Sequence, residues 1–205
     1  MSDFDRTHRV AISYVYELPF GQGATGLKGA LLGGWGVSGV TIFQSGTPFS
    51  IIDSAAGTAF LGAGSTPLLG ASLAPGASLS QGLTHGDIHD RLNGYLNPAA
   101  FSTAPQLYPA QCAADTNFCV TGFGDLGRNI YRGPFQQNFD FSLVKNFRVT
   151  ERQALRFTAD FFNLFNHPNF ASPAFTDVES PANFGQITNT KGTPRLIQFS
   201  LRYAF

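Results

Sequence analysis

Five stretches of this chain alternate apolar and polar side chains with a period of two, and that pattern restricts the fold more than any other feature. In residues 8–18, HRVAISYVYEL, Val10, Ile12, Tyr14, Tyr16 and Leu18 share one face. Arg9, Ala11, Ser13 and Glu17 share the other, with Val15 as the exception. Residues 35–45 align Trp35, Val37, Gly39, Thr41 and Phe43, although the opposite face there is also partly apolar. Residues 139–147 set Phe139, Phe141, Leu143 and Phe147 against Asp140, Ser142 and Asn146. Residues 155–165 set Leu155, Phe157, Ala159 and Phe161 against Arg156, Thr158 and Asp160, and the alternation blurs at Phe162 and Leu164. The closing stretch, 195–205, sets Ile197, Phe199, Leu201, Tyr203 and Phe205 against Gln198, Ser200, Arg202 and Ala204. Successive side chains of an extended strand point to opposite sides, so each stretch reads as a strand with two unlike faces. No helical period competes with this reading.

The apolar faces need an explanation that a soluble fold supplies poorly. Only 13% of the residues are charged, against roughly 25% in ordinary soluble domains. Phenylalanine occurs 21 times in 205 residues. A soluble β-sandwich would have to hide all five aromatic faces in its core. A strand of about 9–11 residues, tilted, is long enough to cross a bilayer. In hydrocarbon every backbone amide and carbonyl needs a protein partner, which only a closed barrel gives to strands. The reading is therefore all-β: an antiparallel transmembrane β-barrel with lipid on the aromatic face and a wet lumen on the other. Arg156, Arg202, Asp140 and Asp160 then interleave with phenylalanines at no cost in hydrocarbon. Tyr14, Tyr16, Trp35 and Tyr203 are candidates for the interfacial aromatic girdles.

Other classes are disfavoured. No run approaches 18 consecutive apolar residues, so a transmembrane helix is not expected; the longest uncharged run in a candidate element, 29–43, is broken by five glycines. Formal net charge is zero, which gives no long-range attraction to nucleic acid, and no nucleic-acid partner is expected. The opening MSDFDRTHRV has acidic residues and no apolar core, unlike a signal peptide, so a carboxy-terminal piece of a longer protein is expected.

The connections are unequal. Residues 148–153, RVTERQ, form a tight polar turn, and 19–34 a longer glycine-rich link. Residues 47–134 make a very long excursion rich in Gly, Ala, Ser and Pro. Residues 167–182 form another loop, with an extension of the sheet expected around 184–190, FGQITNT. Outer-membrane barrels have short periplasmic turns and long external loops. With Phe205 on the periplasmic side, the strand directions put 47–134 and 167–194 outside and 148–153 inside. The 19–34 link is long for a periplasmic turn.

Chemistry-bearing motifs are few. Cys112 and Cys119 enclose AADTNF and either form one local disulfide in an oxidising compartment or remain two loop thiols. THGDIHD (84–90) spaces His85 and His89 by four, with Asp87 and Asp90 nearby. On a helix that spacing serves zinc, but a glycine-rich loop lacking the intervening glutamate reads as solvated, so no metal site is expected. GFGDLG (122–127) is not followed by a helix pattern and reads as turns rather than a phosphate cradle. Arg128, Arg132 and Arg148 lie beside aromatics as in single-strand binders, yet zero net charge favours loop anchoring or a lumen-facing role. Nothing local marks a nucleophile, so no catalytic residue and no cofactor are expected.

Longer phrases add a resemblance. FDRTHRVAISYVYELPFG (4–21), LLGGWGVSGVTIFQSGTPFSI (31–51), LNPAAF (96–101), GDLGRNIYRGPFQQNFDFSLVKNFRV (124–149) and LRFTADFFNLFNHPNF (155–170) occur in that order. Together they resemble the carboxy-terminal barrel of TonB-dependent receptors, within them the Oar-like group with a carboxypeptidase-regulatory-like domain. The resemblance implies a fragment holding about five carboxy-terminal strands of a 22-stranded barrel around an amino-terminal plug. It implies an outer-membrane location and active uptake through TonB, with the plug and upstream strands supplied by the rest of the receptor. The final strand also resembles the carboxy-terminal signal of bacterial outer-membrane proteins. That likeness implies that Phe199, Leu201, Tyr203 and Phe205 are read by the barrel-assembly machinery. Two other functions remain open: a structural or adhesive surface barrel without TonB coupling, and a lipase-like barrel enzyme.

Overall fold

β-Branched and aromatic residues in alternation favour extended backbone. In the computed structural model, which describes residues 2–21, 26–61 and 69–205, they form the long strands. Along the chain come β1 (Arg9–Glu17), α1 (Gly26–Leu32), β2 (Trp35–Gln44), β3 (Pro48–Phe49), α2 (Thr58–Leu61) and β4 (Ser72–Leu73). There follow β5 (Phe101–Ser102), α3 (Pro109–Ala114), β6 (Tyr131–Arg132), β7 (Gln136–Arg148), β8 (Ala154–Phe162) and β9 (Leu196–Ala204). Residues 22–25 of the 19–34 link and 62–68 of the long excursion lie outside the described residues.

The chain divides into two compact units. One, the sheet unit, comprises His8–Gln44, Phe135–Asn169 and Thr190–Phe205. Its five long strands pair in the order β1-β2-β7-β8-β9, each antiparallel to its neighbour. The sheet is open, with β1 and β9 at its edges. The β7–β8 turn is tight: Val149 N–H bonds Gln153 O, and Thr150 Oγ1 accepts from the amides of Arg152 and Gln153. β8 stops where the alternation blurs. Asn163 and Asn166 adopt left-handed φ values of 52° and 51°, which asparagine tolerates better than most residues. The Asn163 side chain accepts from His167 N–H and donates to the carbonyls of His167 and Thr193.

The other unit comprises Met1–Thr7, Ser45–Pro134 and Phe170–Asn189. It departs from the expected loop because it has a core. Ile51, Ala71, Leu96, Ala100, Phe101, Tyr131, Phe184 and Ile187 are buried together. Phe101 packs edge-on against both Tyr131 and Phe184. The hydroxyls of Tyr95 and Tyr131 donate to the carbonyls of Arg132 and Leu79, so the rings enter the core without stranding a polar atom. LNPAAF owes its shape to Asn97, whose side chain caps the turn at Ala99 N–H while its amide donates to Gln81 O.

Two expectations are corrected here. Residues 184–190 do not extend the sheet; Phe184 and Ile187 are claimed by this second core. The link at 19–34, where no helical period is expected, contains α1.

Candidate membrane interface

Strand register decides which side chains share a face, because directly opposed residues of an antiparallel pair project the same way. Tyr14, Gly39, Phe141, Phe161 and Ile197 form one row across all five strands. The next row is Tyr16, Val37, Leu143, Ala159 and Phe199, followed by Trp35, Lys145, Phe157 and Leu201. Phe147, Leu155 and Tyr203 complete that end. Every apolar set read from the alternation therefore falls on a single face. Its rings touch across strands: Phe157 and Phe199 stack at 6.1 Å, and Phe139 meets Phe43 and Phe165 edge-on at 5.5 and 5.0 Å. Gly39 has a specific task, since a Cβ there would lie 2.4 Å from the Tyr14 hydroxyl. The missing side chain lets Tyr14 lie flat across β2.

The opposite face is polar. Its rows read Val15, Ser38, Ser142, Asp160 and Gln198, then Glu17, Gly36, Val144, Thr158 and Ser200, then Asn146, Arg156 and Arg202. Ser142 Oγ donates to the Asp160 carboxylate, and Asp140 accepts from Asn163 N–H at 3.0 Å. Arg156 and Arg202 stand directly opposite each other, and like charges in that position destabilise a strand pair unless water or a counter-charge screens them.

Phe199, Leu201 and Tyr203 lie in β9 on the apolar face, all more than half exposed or nearly so, and the Phe205 ring stacks on Tyr203 at 5.8 Å just past the strand. Trp35, Tyr14 and Tyr16 lie on that same face.

Lys145 is the residue that sequence reasoning passed over. It stands in the apolar phase between Leu143 and Phe147, a phase the alternation itself discloses, yet it is 1% exposed. Its ammonium donates to the carbonyls of Leu31 and Gly33 and sits 5.2 and 4.8 Å from the ring centres of Trp35 and Phe147. Trp35 Nε1 donates to the same Leu31 carbonyl at 3.0 Å. A charge is thus tolerated on the greasy face by helix-end carbonyls and aromatic faces.

In the second unit Cys112 and Cys119 are joined by a disulfide with Cα atoms 4.5 Å apart, at the end of α3. Arg128 and Asn129 both bond the Asp3 carboxylate, and Arg132 pairs with Asp5. The Asn129 hydrogen bond, with Arg128 beside it, holds the Asp3 carboxyl below the usual carboxylate range. Desolvation, reinforced by Asp53 and Asp177, pushes Glu179 the other way. His89 packs edge-on against Phe170 at 5.4 Å, and among the described residues no three metal-capable side chains converge. In GFGDLG the Asp125 carboxylate accepts from Leu73 N–H and Leu126 N–H bonds Ala71 O, so the segment is backbone packing.

A family model described as outer membrane beta barrel domain matches residues 1–198. No curated protein and no solved structure matches the chain. A two-faced antiparallel sheet with aromatics on one side and charges on the other is what that architecture requires of its wall. The chain belongs to the outer membrane β-barrel domain family, and its place is the outer membrane.

Proposed function

We propose that the chain is the carboxy-terminal part of a TonB-dependent receptor of the Oar-like group, taking up a substrate not identified by its sequence. The observation that carries this reading is the open five-strand sheet whose polar face presents the opposed Arg156 and Arg202. Five strands cannot close around a lumen, and unpaired edges are not tolerated in lipid, so further strands complete the wall. An inward pair of like charges fits a wide lumen occupied by water or by a plug that brings carboxylates. The ordered phrases from 4–21 to 155–170 support the receptor group. On this reading the partners are outer-membrane lipid, the barrel-assembly machinery, the plug and upstream strands, and through the plug TonB. The chain has no catalytic role. The test is the complete gene product: an in-frame plug that binds the purified periplasmic domain of TonB is expected. A stop codon directly before Met1 with no barrel-coding sequence upstream would overturn the reading.

One observation favours a second reading, a structural or adhesive barrel. In the core-bearing unit Phe60 and Phe123 stack at 4.9 Å with both rings mostly exposed. A complete gene encoding a barrel without a plug would favour it.

A further inference from the structure

The link that is long for a periplasmic turn has a use if it faces lipid. Lys145 projects from the apolar face, since it shares a row with Trp35, Phe157 and Leu201. Its ammonium, and the Trp35 indole, bond the carbonyls at the carboxy-terminal end of α1. That end of α1 therefore lies over the lipid-facing side of the sheet and not over the lumen. Gly34 makes the approach possible: its φ is 70°, and a Cβ there would lie 2.4 Å from Asn146 O. The terminal carbonyls of a helix need donors, and a cation at that end is favourable. α1 is thereby clamped, yet among the described residues nothing buries its other side. Leu27, Leu31 and Leu32 are 77, 57 and 54% exposed, with Lys28 between them in sequence and Phe20 exposed nearby in the link.

We infer that α1 is an interfacial helix of the periplasmic leaflet, with Leu27, Leu31 and Leu32 among the phospholipid acyl chains and Lys145 as the positioning residue that holds it there. The occupant follows from continuity: the face under α1 is the lipid-facing wall of an outer-membrane barrel, so lipid already surrounds it. The position fits as well, because Lys145 lies three residues before the end of β7 and about 10 Å along the strand from the 149–153 turn. An amphipathic helix at a membrane surface sits about 5–10 Å into the headgroup and acyl boundary, with flanking lysines reaching back to the headgroups. This inference rests on membership of the barrel family and is independent of the transport reading.

The test is a nitroxide depth measurement on the complete barrel in vesicles of phosphatidylethanolamine and phosphatidylglycerol. Labels are placed singly through Leu27→Cys, Leu31→Cys and, as a water-exposed reference, Thr150→Cys. Collisions with oxygen are expected to dominate at 27 and 31, and collisions with a water-soluble nickel chelate at 150. Nickel accessibility at 27 and 31 equal to that at 150 would overturn the proposal. So would spin–spin broadening at 31, which would assign the face to a second copy. Lys145→Met is expected to raise nickel accessibility at 31 towards the reference, and Lys145→Arg to leave it low. If Lys145→Met prevents barrel assembly, Trp35→Phe, which removes the other donor to Leu31 O, is expected to produce the same rise. An unchanged depth at 31 in a correctly assembled Lys145→Met or Trp35→Phe protein would refute the clamp.

Discussion

Phe157 and Thr158 are neighbours in β8 that project from opposite sides of the sheet, so one substitution made at both separates the two faces. Arginine turned towards lipid costs about 2–4 kcal/mol at the midplane and less towards the interfaces, and towards the lumen it costs less still. Phe157→Arg is expected to impair assembly of the complete barrel strongly and Thr158→Arg only slightly, as read by heat-modifiability on gels. Equal effects would contradict the assignment of faces. Asp3 and Glu179 give opposed pH signatures. The carboxyl of Asp3 is depressed by Asn129 and Arg128, so its contribution is present above the ordinary carboxylate range and lost as pH falls through the depressed value. Glu179 is raised, so its contribution is complete at acid pH and lost as pH rises through the raised value. Hydrogen exchange of residues 2–7, corrected for its intrinsic pH dependence, should therefore stay slow at neutral pH and quicken under acid. In Asp3→Asn that acid step should shrink. Glu179→Gln should slow exchange around 177–179 at neutral pH and not under acid.

At the scale of elements, the alternation located every long strand because lipid on one side and water on the other impose it residue by residue. β8 illustrates the reach of that signal and its limit: the pattern ends at Phe162, where left-handed Asn163 ends the strand. What stayed hidden depends on partners distant in sequence. FGQITNT is expected to extend the sheet, but Phe184 and Ile187, three apart and so out of strand phase, are buried against Phe101, Leu96 and their neighbours, which no local period discloses. α1 was invisible because GLKGALL, seven residues with two glycines, is too short to hold a helix by propensity alone; Lys145, which bonds its carboxy-terminal carbonyls, is remote in sequence. The disulfide at the end of α3 spans a separation of seven residues, so its effect should be local. Reduction with dithiothreitol is expected to speed protease cleavage within 109–121 and to leave the heat-modifiability of the barrel unchanged. A loss of barrel stability on reduction would show that this hairpin supports more than itself.

For the whole molecule, the open sheet supplies a wall in lipid, and the excursion carries a core of its own. The edge strand β9 carries the terminal aromatic pattern, and Phe205 with Tyr203 stacks beyond a wall that still needs a neighbour. Removing Phe205 is expected to lower the amount of complete barrel reaching the outer membrane, measured by fractionation, with little effect on protein that has already assembled. The wall itself is tested most directly by a cysteine scan of residues 154–162 in the membrane-inserted barrel, labelled with a membrane-impermeant maleimide. Labelling with a period of two is predicted, high at 156, 158 and 160 and low at 155, 157, 159 and 161. Uniform labelling, or the inverse phase, would contradict the claim that the aromatic face of these strands lies against lipid.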